Sequence, residues 1–161
     1  MIALLVFAAV FAALFTVAYI SKRRFGLLGL ALTAGATLST IWDQNTELIV
    51  SMTGLIPSGP ITEAVTLSTL VLLPAVLLLF HGYTYKSKHA RIVGSLLFAA
   101  FALTLLIVPI GHTLPLDGVG ADVYAWVLAH DELLISAGII LAVVDLFFTK
   151  PAGFGDKDKK R

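Results

Sequence analysis

The chain has 161 residues, 58% of them hydrophobic and 13% charged, with a mean hydropathy of +0.96 and a formal net charge of +1. An ordinary soluble domain carries about 25% charged residues, so this composition excludes a soluble globular protein and a basic nucleic-acid binder and points to an integral membrane protein of four or five spans. The absence of cysteine excludes disulfides, thiolate metal sites, iron–sulfur ligation and cysteine nucleophiles.

The first hydrophobic run, residues 2–20, has no basic residue ahead of it and the cluster "SKRR" behind it. That order predicts a retained first span with its N-terminus outside, not a signal peptide. The second run, 25–42, is rich in small residues (Gly26, Gly29, Ala31, Ala34, Gly35 and Ala36), with Ala31 and Gly35 four apart for close helix approach. Thr33, Thr37 and Ser39 are expected to bond across helices or back to their own carbonyls. The next stretch, "DQNTELIVSMTGLIPSGP", places Leu48, Ile49, Met52, Leu55 and Ile56 on one helical face. It predicts an amphipathic helix over 47–55 in the outer interface, ending at "PSGP". Asp43 and Glu47 are then first-turn carboxylates favoured by the helix dipole.

The third run, 61–82, starts after Pro60 with Glu63 in its first turn. Pro74, in its middle, is expected to kink the helix and free the carbonyl near Leu70, which in transporters can mark a gate or ion site. Pro109 has the same effect near the outer end of the fourth run, 92–111. "DGVGAD" reads as a turn, and "ADVYAWVLAHDE" predicts a second amphipathic helix with Asp122 as N-cap and Val123, Trp126, Val127 and His130 on one face. The fifth run, 133–148, reaches only about 24 Å at about 1.5 Å per residue, so it must borrow length from the residues before it or thin the bilayer. The expected fold is an all-α polytopic bundle of five transmembrane helices, N-terminus out and C-terminus in, with amphipathic helices on the outer side. Residues 1–149 form its single domain, and 150–161 a basic cytoplasmic tail expected to be disordered.

Charge supports this count. Alternating spans put "SKRR", "YTYKSKHAR" and "KPAGFGDKDKKR" on one side, and these hold all 11 Lys and Arg residues. The positive-inside rule is thereby met without exception, whereas four spans would leave the tail outside. Most of the acidic residues fall on the other side. Trp42 and Trp126 are expected in an outer aromatic belt, and Tyr19, Tyr83 and Tyr85 in an inner one.

No phosphate-binding loop, zinc-protease helix or nucleophile elbow is present. No catalytic, cofactor or metal site is expected, and the candidate polar residues are Asp145, Arg91, Pro74, His130 and Asp131. In "HDE", His130 to Glu132, consecutive side chains diverge by about 100° on a helix and do not converge on a metal by themselves, although His112 lies on the same side. Asp145, inside "VVDLFF", is the costliest placement, since a charge at the bilayer centre costs roughly 3 kcal/mol. It sits some 5 to 8 Å inside the inner boundary at about 1.5 Å per residue. An inner-rim ion pair with Arg91 or Lys150, anchoring the fifth span, is favoured over a proton or ion relay, because Ser136 is the only other polar group in that run.

The stretch "SKRRFGLLGLALTAGATLS" after a first span, an outer amphipathic connection, a third span and "KSKHARIVGSLLFAAF" opening the fourth resembles the colicin V production (CvpA-like) membrane proteins. The resemblance covers about residues 1–130 and rests on layout together with Arg24, Gly26, Arg91 and Gly94. It departs at Ala90, where an acidic residue often precedes the arginine, and in the fifth span, where the family usually has four. It implies a small inner-membrane protein needed for toxin export or envelope homeostasis, with no active site to carry over. Three functions are therefore in view: a non-enzymatic multi-pass scaffold of the plasma or inner membrane, a small channel or transporter subunit, and, disfavoured by the missing catalytic set, an enzyme. The expected partners are the lipid bilayer and a second copy of the chain or other membrane helices, not nucleic acid.

Overall fold

The structure, a computed structural model, describes residues 2–42, 59–80, 84–85 and 87–148. Six helices form its described part: α1 (Ile2–Ser21), α2 (Phe25–Trp42), α3 (Pro60–Phe80), α4 (Lys88–Gly111), α5 (Val119–Ala129) and α6 (Asp131–Phe148). The amphipathic helix expected over 47–55, with Asp43 and Glu47, lies outside the described residues, as do Tyr83, Lys150 and the basic tail.

Four helices, α1 to α4, are long and apolar enough to cross a membrane, and α5 with α6 makes a fifth candidate bent by 68° at His130. The fifth run does gain length at its N-terminal end. Asp131 and Glu132 join the first turn of α6, where the unpaired N–H groups favour carboxylates. The resulting 18 residues span about 27 Å. Two expectations are corrected here. The N-cap of α5 is Gly118, with φ 54°, and Asp122 lies inside its first turn. The turn in "DGVGAD" is confined to Gly118, because Gly120 is already helical and buried against Ala3 of α1. A carboxylate in the first turn still meets the helix dipole, so the residue type fitted either place.

The interior belongs to α2 and α4. Helix α2 packs on both α3 and α6, and α4 touches all five other helices. Their shared core contains Leu28, Leu32, Phe98, Phe101, Leu106 and Ala142, with Phe25 and Phe101 edge to face at 6.4 Å. Small residues set the spacing. A Cβ at Gly26 would sit 2.6 Å from the Ala142 carbonyl oxygen, and one at Gly29 would sit 2.9 Å from the Ala142 Cβ, so α2 and α6 are in near backbone contact. On its other side α2 presents Gly35 to α3, where an added Cβ would overlap the Val71 carbonyl oxygen. With no Cβ in the way, helix axes come close enough for dispersion and Cα–H···O contacts to hold them, which is the main source of packing energy where lipid surrounds the helices. Outward faces are largely apolar: Leu5, Ile20, Val65, Leu77, Phe80, Leu133 and Phe147 are all exposed.

Threonine hydroxyls at Thr16, Thr33, Thr37, Thr40, Thr66, Thr69 and Thr104 are satisfied within their own helix. Thr33 and Thr37 donate to the carbonyls of Gly29 and Thr33, each at 3.0 Å. The polar atoms of these two threonines therefore demand nothing from a neighbouring helix: of the two arrangements expected for them, they adopt back-bonding.

Candidate functional site

The helices alternate so that the described basic residues, Lys22 to Arg24, Lys88 and Arg91, share one end of the bundle, while Glu63, His112 and Asp131 share the other. Each end builds its own polar arrangement.

At the basic end, α1 closes with Lys22 in the left-handed region, φ 57°. Such a residue costs roughly 1–2 kcal/mol and is held here by pairing: the Tyr85 N–H donates to the Lys22 carbonyl at 2.9 Å, beside an isolated bridge between Arg23 and Thr84. Arg23 then reaches the end of α3, its Nε donating to Leu79 O at 2.8 Å and its Nη2 to Phe80 O at 3.0 Å. A cation on the last carbonyls of a helix is favoured by both hydrogen bonding and dipole.

The next turn of chain starts α2, and its first N–H groups point at Asp145. Gly26 N–H donates to Asp145 Oδ2 at 2.8 Å, the Tyr85 hydroxyl donates to Oδ1 at 2.9 Å, and Phe25 N–H donates to the Tyr85 hydroxyl at 3.0 Å. A carboxylate on α6 thus serves as the N-cap side chain of α2, directly at one N–H and through a phenol at a second. Tyr85 is buried and its ring lies on Gly94 of α4, where a Cβ would come within 2.6 Å of the hydroxyl oxygen. The aromatic-belt assignment of Tyr85 is therefore corrected: the residue sits inside the bundle because Gly94 leaves room for it. Burial raises the Tyr85 hydroxyl above its ordinary pKa; the Phe25 N–H and the Arg24 charge act against this, and the Asp145 carboxylate adds to it. The phenol accordingly stays a proton donor at neutral pH.

Arg91, the other sequence candidate here, lays its guanidinium carbon 3.6 Å from the centre of the Tyr19 ring, a cation–π contact between α4 and α1. Arg24 is buried at the start of α2.

The acidic end holds a cleft of about 670 Å³ bounded by α2, α3, α4, α5 and α6. Glu63, His112 and Asp131 line it, together with the hydroxyl residues Ser39, Thr40 and Thr104. Along α3 it extends from Pro60 to Val71, eleven residues or about 17 Å. Pro74 lies within α3 just beyond that depth, and Pro109 within α4 lines the cleft itself. Asp131 Oδ1 accepts the Glu132 N–H at 2.7 Å. His130 is directed elsewhere: its Nδ1 donates to the Trp126 carbonyl at 2.9 Å and its ring stacks on Trp126 at 4.8 Å, which fixes the Nδ1–H tautomer of the neutral ring. Among the described residues no group of three His, Asp or Glu side chains is arranged to hold a metal.

Asp145 lies 14 residues along α6 from Asp131, about 21 Å away, so the sequence candidates divide between the two ends and do not form one constellation. Sequence reasoning named Tyr85, Gly94 and Glu63 but missed the parts they play at the two ends. A tyrosine followed nine positions later by a glycine carries no recognisable spacing, and Glu63 looked complete as a first-turn carboxylate. Comparison with family models, curated proteins and solved structures finds no match to this chain.

Proposed function

We propose that the chain is a non-catalytic membrane helix bundle that acts as a scaffold in the cell envelope, in keeping with the layout it shares with the colicin V production proteins and their link to envelope homeostasis and peptide export. The observation that carries this reading is the apolar layer between the two ends. Among the described residues the buried side chains with polar groups are Arg24, Tyr85 and Ser95, all at the basic end, and the interior between them and the cleft is Leu28, Leu32, Phe98, Phe101 and Ala142. An ion crossing such a layer would lose its hydration with no polar group to replace it. Asp145 is tied into helix capping, which supports an anchoring role over a relay. The cleft at the acidic end is what favours a small transporter subunit as the second reading.

In this proposal α1 to α4 and the α5–α6 pair cross the membrane five times, with the N-terminus outside, the C-terminus in the cytoplasm and α5 in the outer interface. Because the chain has no native cysteine, single cysteines report cleanly. Cysteines at Lys86 and Lys157 are expected to be shielded from an impermeant thiol reagent in intact cells, and cysteines at Gln44 and Gly118 to react. Labelling at Lys157 alone would remove the fifth crossing. For function, vesicles reconstituted with the chain are expected to leak protons, potassium and sodium no faster than empty vesicles. A saturable flux would replace the scaffold reading with the transport one.

A further inference from the structure

We propose that the cleft at the acidic end is a binding site for a lipophilic organic cation. Its volume, about 670 Å³, falls within the roughly 300–1,000 Å³ of small-molecule sites, and its construction matches that chemistry on three counts.

The deeper walls are apolar. Leu67 and Val71 of α3 face Leu105 of α4 and Ile135 of α6, so a ligand must bring hydrocarbon or aromatic surface to fill the floor. The charge at the rim is negative and comes from two different helices, Glu63 from α3 and Asp131 from α6, while no Lys or Arg is among the described residues that line the cleft. An anion placed there would meet two carboxylates and no described cation. A neutral solute would gain burial but forgo the attraction of two carboxylates held at the same mouth. The remaining polar groups are hydroxyls and an imidazole. The Thr104 hydroxyl already donates to the Ala100 carbonyl at 3.0 Å, so it presents an oxygen lone pair to the cleft, an acceptor suited to a cationic N–H or a polarised C–H.

Occupancy does not depend on whether the bundle is a scaffold or a transporter subunit, and no step across the apolar layer is implied. The ligand binds and leaves from the acidic end.

The test uses the full chain in nanodiscs of net-neutral phosphatidylcholine, with tritiated tetraphenylphosphonium in equilibrium dialysis and protein-free discs as the blank. Tetraphenylborate, the same shape with opposite charge, is the matched control. A saturable component is expected for the cation and not for the anion. Glu63→Gln combined with Asp131→Asn, both at the rim and outside the packed core, should weaken it by roughly tenfold or more. Ala36→Phe, which fills the cleft from the α2 wall and leaves both carboxylates in place, should abolish it. Helix content by circular dichroism checks that each variant folds, and the single rim substitutions serve if the double variant does not. Equal binding of cation and anion, uptake no greater than in the blank discs, or affinity unchanged in the rim variants would overturn the proposal.

Discussion

Gly35→Leu is expected to prevent α2 from docking on α3 and to remove the folded bundle. A Cβ at Gly35 overlaps the Val71 carbonyl oxygen and stands 2.8 Å from the Val71 carbonyl carbon and 2.9 Å from the Leu70 carbonyl oxygen. These are backbone atoms and cannot rotate aside. The Leu70 carbonyl is also the one that Pro74, four residues on, leaves without its usual intrahelical donor. Glycine lets α2 approach there and bring its Cα–H groups to an oxygen that would otherwise face hydrocarbon. Even Gly35→Ala, which improves helix propensity by about 1 kcal/mol, should lower stability, since forced overpacking typically costs about 1–3 kcal/mol and here the clash is with main chain. Detergent-titrated unfolding followed by circular dichroism measures the alanine variant, and size-exclusion chromatography the leucine one. Ala34→Leu is the control, one residue along on an exposed face. If Gly35→Leu elutes and unfolds like the native chain, the close α2–α3 approach is not what holds these helices.

Asp145→Ala is expected to cost roughly 2–4 kcal/mol, combining the loss of an N-cap with a donor left unsatisfied away from water. It strips Gly26 N–H and the Tyr85 hydroxyl of their acceptor in one step. Asp145→Asn should cost less, because one acceptor oxygen remains, yet its NH₂ must face either the Gly26 N–H or the Tyr85 hydroxyl, a donor against a donor in the first case. Tyr85→Phe removes the middle of the chain of bonds, so its effect and that of Asp145→Ala should overlap: the double variant should lose less than the two singles added, by about 0.5–3 kcal/mol. Strict additivity in the unfolding titration would mean that the two side chains are not energetically linked and that the carboxylate is anchored by other groups.

Much of the fold was legible because apolar length is a strong signal. All four of the first helices begin and end within a few residues of the hydrophobic runs, and α2 coincides with its run, residues 25–42. The fifth was read two residues short at its start, since a hydropathy criterion stops at Asp131 and Glu132 while helix electrostatics welcomes them. Packing was half legible. The glycines of α2 announced close contact, but not that Gly26 and Gly29 would face α6 while Gly35 faces α3. The polar sites were the least legible. For a carboxylate in an apolar run, the sequence suggests cationic side chains as partners, whereas two of the donors at Asp145 are a backbone N–H and a phenol, neither of which is marked by a charge pattern. The cleft is set by the spacing of five helices, and no local pattern encodes it.

The cap on α2 is also a statement about time. Gly26 and Asp145 are 119 residues apart in the chain, and at synthesis rates of about 5–20 residues per second the carboxylate emerges on the order of 6–24 s after the amide that it serves. During that interval α2 has been made but the start of its helix still lacks the group that closes it, and Tyr85 arrives only midway. Helix α6 is therefore the element whose arrival completes α2, and a nascent chain halted before α6 carries an open start on its second helix.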